Sequence, residues 1–139
     1  MDIRVFHSLP ADALTLRVTV FVQEQGFADD PDENDGRATH LVMYNDNCEP
    51  IATCRVFPQG GVGEFALGRF CVRKDLRGQC IGRQLLDAAE REVSSQGGKV
   101  IVLHSQLHAK GFYERCGYVA EDEIEYEQGR PHVFMKKVL

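Results

Sequence analysis

Tryptophan is absent from this 139-residue chain, and no apolar run approaches the ~18–20 residues that span a bilayer. The opening Met1-Asp2-Ile3-Arg4 also lacks the basic-then-apolar layout of a signal peptide, so a soluble, cytoplasmic protein with no membrane partner is expected. Cysteine supplies no framework. Cys48, Cys54, Cys71, Cys80 and Cys116 are odd in number, scattered and never spaced C-x-x-C, which indicates neither a disulfide scaffold nor a zinc cluster. Basic charge is not in excess either: 16 Lys and Arg against 21 Asp and Glu give −5, which argues against general nucleic-acid binding and is compatible with a cationic substrate. Repeats, linkers and low-complexity stretches are missing as well. With 43% hydrophobic residues, the chain reads as one globular domain over residues 1–139.

The charge is unevenly spread. Residues 28–35 hold Asp29, Asp30, Asp32, Glu33 and Asp35, whereas residues 69–83 hold Arg69, Arg73, Lys74, Arg77 and Arg83 against Asp75 alone. This layout suits an anionic cofactor beside a basic acceptor, although an acidic run is equally explained as a solvated loop.

Hydrophobic patterning predicts a mixed-sheet α/β domain. Ile3–Phe6, Thr39–Tyr44, Ile51–Phe57 and Phe65–Val72 read as strands of an antiparallel meander. Between the first two, Leu14, Leu16, Val18, Val20 and Val22 alternate as in a strand, while Leu14, Val18, Phe21 and Gln25 also fit a helical face; periodicity alone favours strand. Ile81, Leu85, Leu86, Ala89 and Val93 recur at helical spacing until Gly97-Gly98 stops them, and the apolar Val100–Leu103 follows as a buried strand. Strand, helix and strand make a βαβ unit. A short helix near Leu107–Arg115 and strands Tyr118–Tyr126 and His132–Val138, around the turn Gln128-Gly129-Arg130-Pro131, complete the reading.

The chemistry concentrates in Arg77-Gly78-Gln79-Cys80-Ile81-Gly82-Arg83, where a strand gives way to the main helix. Small residues let backbone approach a ligand, and the free N–H groups of a helix start, aided by Arg77 and Arg83, suit a pyrophosphate. An ordinary glycine-containing loop is the alternative. A P-loop is excluded, since no Lys-Ser or Lys-Thr follows the last glycine.

This loop, followed by Leu85-Leu86, resembles the coenzyme A signature of GNAT-superfamily acetyltransferases. Ala109-Lys110-Gly111-Phe112-Tyr113 through Gly117-Tyr118 is similar to that family's second signature. Phe21–Gly26, Thr39-His40-Leu41, Gly68-Arg69 and Pro131-His132 resemble its small bacterial ElaA-type subgroup. The resemblance implies a GNAT fold, with a mixed, mostly antiparallel central sheet flanked by helices, and it places helix rather than strand over residues 10–25. It also implies an enzyme that acetylates a primary amine from acetyl-CoA by direct transfer through a tetrahedral intermediate, with no metal. The acceptor is a small-molecule or peptide amine, and amino sugars, polyamines and peptide amines all stay open, as does a homodimer.

By the same resemblance, backbone at Cys71 and Val72 holds the pantetheine arm and acetyl carbonyl. Arg77, Gly78, Gln79, Cys80, Ile81, Gly82 and Arg83 hold the pyrophosphate, Tyr113 protonates the departing thiolate, and Glu24, Gln25, Arg69 and His132 line the acceptor side. Cys80 stands where the signature usually has its first spaced glycine. Glu24, Glu64 and His104 are each able to serve as the base, and none is preferred. His104 and His108 do not make an H-E-x-x-H zinc site, because Ser105 replaces the Glu. Asp30, Asp32 and Asn34 do not make a calcium loop, because Asp35 stands where Gly is required and Leu41 where Glu is. A catalytically silent acyl-CoA-binding module and a nucleotide-binding loop are the competing functions.

Overall fold

The computed structural model describes residues 1–28 and 31–139; Asp29 and Asp30 of the expected acidic loop lie outside the described residues. Among the described residues, seven strands form one sheet: β1 (Asp2–Phe6), β2 (Thr39–Tyr44), β3 (Pro50–Pro58), β4 (Glu64–Val72), β5 (Val100–Gln106), β6 (Val119–Glu127) and β7 (Arg130–Val138). Their order is β1-β2-β3-β4-β5-β7-β6. All pairings are antiparallel except β4 with β5. This is the mixed, mostly antiparallel α/β architecture expected.

The central strands are covered on both faces, so β2 is buried throughout and β3 from Ile51 to Phe57. Helix α2 (Ile81–Ser95) covers one face with Ile81, Leu85, Leu86, Ala89 and Val93, each no more than 2% exposed. This is the apolar stripe that the helical spacing marks. The chain leaves α2 through Gly97 at φ 84°, and a β-carbon on Gly98 would collide with Val93 and Phe65. The glycine pair therefore ends the helix and lets the chain pass under it into β5.

Strand-like alternation between Leu14 and Val22 is overruled. Residues Ala11–Arg17 form helix α1, which continues as a π-helix over Val18–Glu24. Ala13, Leu16, Arg17 and Val20 face inward, so packing on the sheet decides against local β-propensity. The segment after β5 is a 3₁₀ turn (Leu107–Ala109) leading into the short α3 (Lys110–Arg115). The last hairpin is tighter than expected, because Gln128 (φ 49°) and Gly129 (φ 74°) alone make its turn, and Arg130-Pro131 already belong to β7. Left-handed conformations at both central residues match the twist of the strands they join.

One irregularity positions the site. β4 and β5 pair only at Glu64↔Val100, Phe65↔Ile101 and Ala66↔Val102. Beyond Ala66, β4 stays with β3 as far as Val72, and β5 stays with β7 as far as Gln106. The sheet therefore splits between its two parallel strands.

Candidate active site

The split opens a cleft of about 1250 Å³, into which β4 presents Leu67 through Val72 and β5 presents Val102 through Gln106. A register shift opposite Cys54 and the positive φ of Arg69 (49°) turn the end of β4. Every candidate cofactor and acceptor residue taken from the sequence lines this cleft except Gln79, which is exposed outside it. Glu64 does not line it; it sits at the base of the β3–β4 hairpin, packed over Gly60. His104 and His108 fall on β5 and the following 3₁₀ turn rather than on one helix.

At the start of α2, Cys80 caps the helix in the left-handed region, with φ 62° and ψ 14°. Gly78 has φ 83° and no neighbour within contact range of a β-carbon, so the loop there is open to an approaching group. Gly82 is the second residue of α2, where a β-carbon would press on Phe112 at 3.3 Å. Arg83 is exposed and lines the cleft. Arg77 is otherwise engaged. Its guanidinium makes a two-pronged ion pair with Glu24 at 2.6 and 2.8 Å, and its Nε donates to the Val72 carbonyl at 3.0 Å. It ties the loop to the end of the π-helix and to the end of β4 instead of projecting freely. The same hydrogen bonds hold the Glu24 carboxyl below the usual carboxylate range, which makes it a poor base.

Tyr113, on α3, is 7% exposed and sits among the rings of Phe70, Phe112 and Tyr118 at 5.0–5.9 Å. Burial pushes its phenol up, so it is protonated at any physiological pH. A hydroxyl held this way donates and does not act as a base.

The part of the cleft lined by Arg55 and Arg69 is built on an ion network that the sequence only partly signals. Buried Asp35 accepts from both Arg17 nitrogens at 2.8 and 2.9 Å and from Arg55 at 2.9 Å. Asp32 takes two bonds from Arg55, at 2.6 and 2.9 Å, and one from Arg69 at 3.2 Å. Asp32 and Asp35 are thus structural partners and not a solvated acidic run. Burial pushes the Asp35 carboxyl up, but hydrogen bonds from Arg17, the Asp32 backbone and Arg55 outweigh it and hold the group well below its ordinary range. The available signal was an arginine inside each of two apolar segments, Arg17 in α1 and Arg55 in the buried β3. Gln25 accepts from Gln106 Nε2 at 2.8 Å, which joins the π-helix to β5 across the cleft.

A split sheet, a helix start at one end of the split and a buried tyrosine beside it define an α/β protein built around a long cleft. The family described as "Acetyltransferase (GNAT) domain" matches residues 17–139, and the chain belongs to that family. A Bacillus subtilis (strain 168) protein named as a candidate acetyltransferase is 40% identical over 130 residues, which is 90% of this chain and 86% of that one. Protein ElaA of Escherichia coli (strain K12) is 32% identical over 129 residues, covering 89% of this chain and 84% of its own. Its crystal structure superposes with a TM-score of 0.85 at 27% identity over 98% of both chains. An aminoglycoside 6′-N-acetyltransferase complexed with coenzyme A shares the fold, with a TM-score of 0.80 at 19% identity over 99% of this chain and 97% of that one.

Proposed function

We propose that this GNAT-family protein transfers an acetyl group from acetyl-CoA to a primary amine. The observation that carries the reading is the convergence, in one cleft, of the open loop around Gly78 and Cys80 at the start of α2, the end of β4 from which β5 has diverged and the protonated Tyr113. Fit to the cofactor rests on local geometry. The loop offers backbone unobstructed at Gly78, the 15-residue α2 directs its free N–H groups toward that loop, and Arg83 adds a cation. Bound there, acetyl-CoA supplies the activated acyl group.

The chain's own residues do the remainder. The splayed edge of β4 through Cys71 and Val72 offers an extended segment that β5 does not cover, where a pantetheine arm can add alongside. Tyr113 donates its proton to the leaving sulfur, since burial keeps the phenol charged with hydrogen until an anion develops beside it. Glu24 and Arg77 act as a strut that fixes the acceptor wall against the cofactor loop.

Titration calorimetry with acetyl-CoA, followed by a mass-detected transfer screen over primary amines, tests the proposal. Arg83→Ala is expected to weaken cofactor binding by about tenfold through one lost charge-assisted contact. Tyr113→Phe is expected to lower kcat by about 10²-fold with acetyl-CoA affinity unchanged. Failure of the wild type to bind acetyl-CoA overturns the reading, and binding with no transfer to any amine reduces it to an acyl-CoA-binding module.

A further inference from the structure

One wall of the cleft holds a histidine and a carboxylate at hydrogen-bond distance, which are two acceptors side by side whenever the histidine is neutral. His132 of β7 is 5% exposed and lies between its register partners, Gln106 of β5 and Glu125 of β6. Its Nδ1 is 2.9 Å from the Arg130 carbonyl oxygen. A carbonyl only accepts, so Nδ1 carries the hydrogen and the neutral ring keeps its lone pair on Nε2. That Nε2 stands 3.2 Å from Oε2 of Glu127: the protonated ring donates to the carboxylate there, and the neutral ring leaves two acceptors for an incoming N–H donor. Both residues line the cleft, and Glu127 is half exposed.

The surroundings leave this position to an incoming cation. Glu125 of β6 faces His104 of β5, with Oε2 3.6 Å from Nδ1. The Arg130 guanidinium is stacked on Phe27, whose ring meets His132 edge-on at 6.3 Å. Gln106 is engaged with Gln25 and His108. From the π-helix, Glu24 is taken by Arg77. Nothing among these described neighbours donates to His132 Nε2.

We infer that His132, assisted by Glu127, is the base that deprotonates the acceptor amine; the inference rests on the acetyl-transfer reading above. An ammonium carries several N–H donors and can bond to Nε2 and to Oε2 together. One of its N–H bonds then breaks, the electron pair stays on nitrogen as the nucleophile, and the proton forms Nε2–H. Glu127 accepts a hydrogen bond from the imidazolium so produced and, being half exposed, passes the proton on to water. The other candidates serve less well. Glu24 is consumed by an ion pair, Glu64 is outside the cleft, and His104 makes no hydrogen bond to a described backbone group that would fix its tautomer.

The test has two arms. Long-range ¹H–¹⁵N spectra of the imidazoles need no turnover. Neutral His132 is expected as the Nδ1–H tautomer, its signals moving on addition of propylammonium but not of tetramethylammonium, which has no N–H; Glu127→Gln abolishes that response. In the kinetic arm, with propylamine and acetyl-CoA, His132→Gln lowers kcat about 10²-fold and removes the acidic limb of the pH profile, while cofactor affinity is kept. Because His132 is buried and its variant is at risk of misfolding, the half-exposed Glu127→Gln serves as the second variant, with kcat down about tenfold. An Nε2–H tautomer, an equal response to both ammonium ions, or full kcat with an unchanged pH profile overturns the inference and leaves acetyl transfer standing. Loss of acetyl-CoA binding in the wild type overturns the transfer reading, and the base with it.

Discussion

Cys80 is the residue at which this chain breaks the sequence pattern that it otherwise matches, and its backbone explains why glycine usually stands there. At φ 62° it occupies the left-handed region, which costs a residue with a β-carbon ~1–2 kcal/mol. Glycine escapes that cost but loses about 0.5–1 kcal/mol more chain entropy on folding, so Cys80→Gly is expected to stabilise the protein by about 0.5 kcal/mol in denaturant titrations. The thiol is exposed and faces the cleft, so saturating acetyl-CoA should shield it from iodoacetamide. Cys48, the other exposed cysteine, lies in the β2–β3 turn and serves as the internal control; Cys54, Cys71 and Cys116 are buried. Peptide mapping that finds Cys80 alkylated equally with and without cofactor would remove the loop from the binding site. At this scale the sequence names residue types but not their partners. Arg77 reads as a phosphate contact, and only the fold reveals that Glu24, 53 residues earlier, takes its guanidinium.

The helical elements show what periodicity can and cannot reach. α2 was legible because its five buried apolar residues repeat cleanly and Gly97-Gly98 stop it, and the meander was legible because turn residues separate short β-branched runs. The α1 segment was not legible from periodicity, since Val18, Val20 and Val22 alternate; the family resemblance points to helix over residues 10–25, and the segment is helical. The 3₁₀ turn Glu33–Gly36 lies in the acidic stretch that a solvated loop would equally explain, although Asp32, its N-cap, and Asp35 close a capping box and bind Arg17, Arg55 and Arg69. That network makes the fold acid-sensitive in two steps. Burial holds His40 below its ordinary value, so its contribution is complete above pH ~6.5 and is lost as pH falls toward its folded value. Asp35 is held well below the carboxylate range, so its contribution is complete above pH ~4 and disappears in stronger acid. Thermal midpoints should therefore be flat above about pH 7, decline below ~6.5 and decline more steeply below ~4. Asp35→Asn should cost about 3 kcal/mol near neutrality and erase the lower step, because it takes a carboxylate from two buried guanidinium groups. A variant as stable as the wild type at pH 7 would show that the network contributes only geometry.

Across the whole molecule, the split between β4 and β5 divides the cleft walls between two halves of one sheet. One wall is β4, held by β3 and joined to α1 and α2; the other is β5, held along its whole length by β7. Only three residue pairs join the walls along the sheet itself, so a ligand lying in the split supplies contacts that the parallel strands do not. Cofactor binding should therefore stabilise the entire fold by linkage. At one hundred times its dissociation constant, acetyl-CoA adds about 2.7 kcal/mol, and for a domain of this size that raises the thermal midpoint by roughly 9 °C. Amide exchange should slow most along Leu67–Val72 and Leu103–Gln106, where each strand lacks the other as a partner. Adenosine 3′,5′-bisphosphate, which carries no pantetheine arm, is expected to occupy only the part of the cleft beside the start of α2 if the proposed loop holds its phosphates. It should raise the midpoint by less at the same multiple of its own dissociation constant if it also binds the unfolded chain, and by the same amount if it does not, so the exchange pattern discriminates between the two ligands. The bisphosphate should protect the start of α2 and leave the split strands exchanging. Protection of those strands by the bisphosphate alone, or a midpoint unmoved by saturating acetyl-CoA, would mean that the split in the sheet is not where the cofactor arm lies.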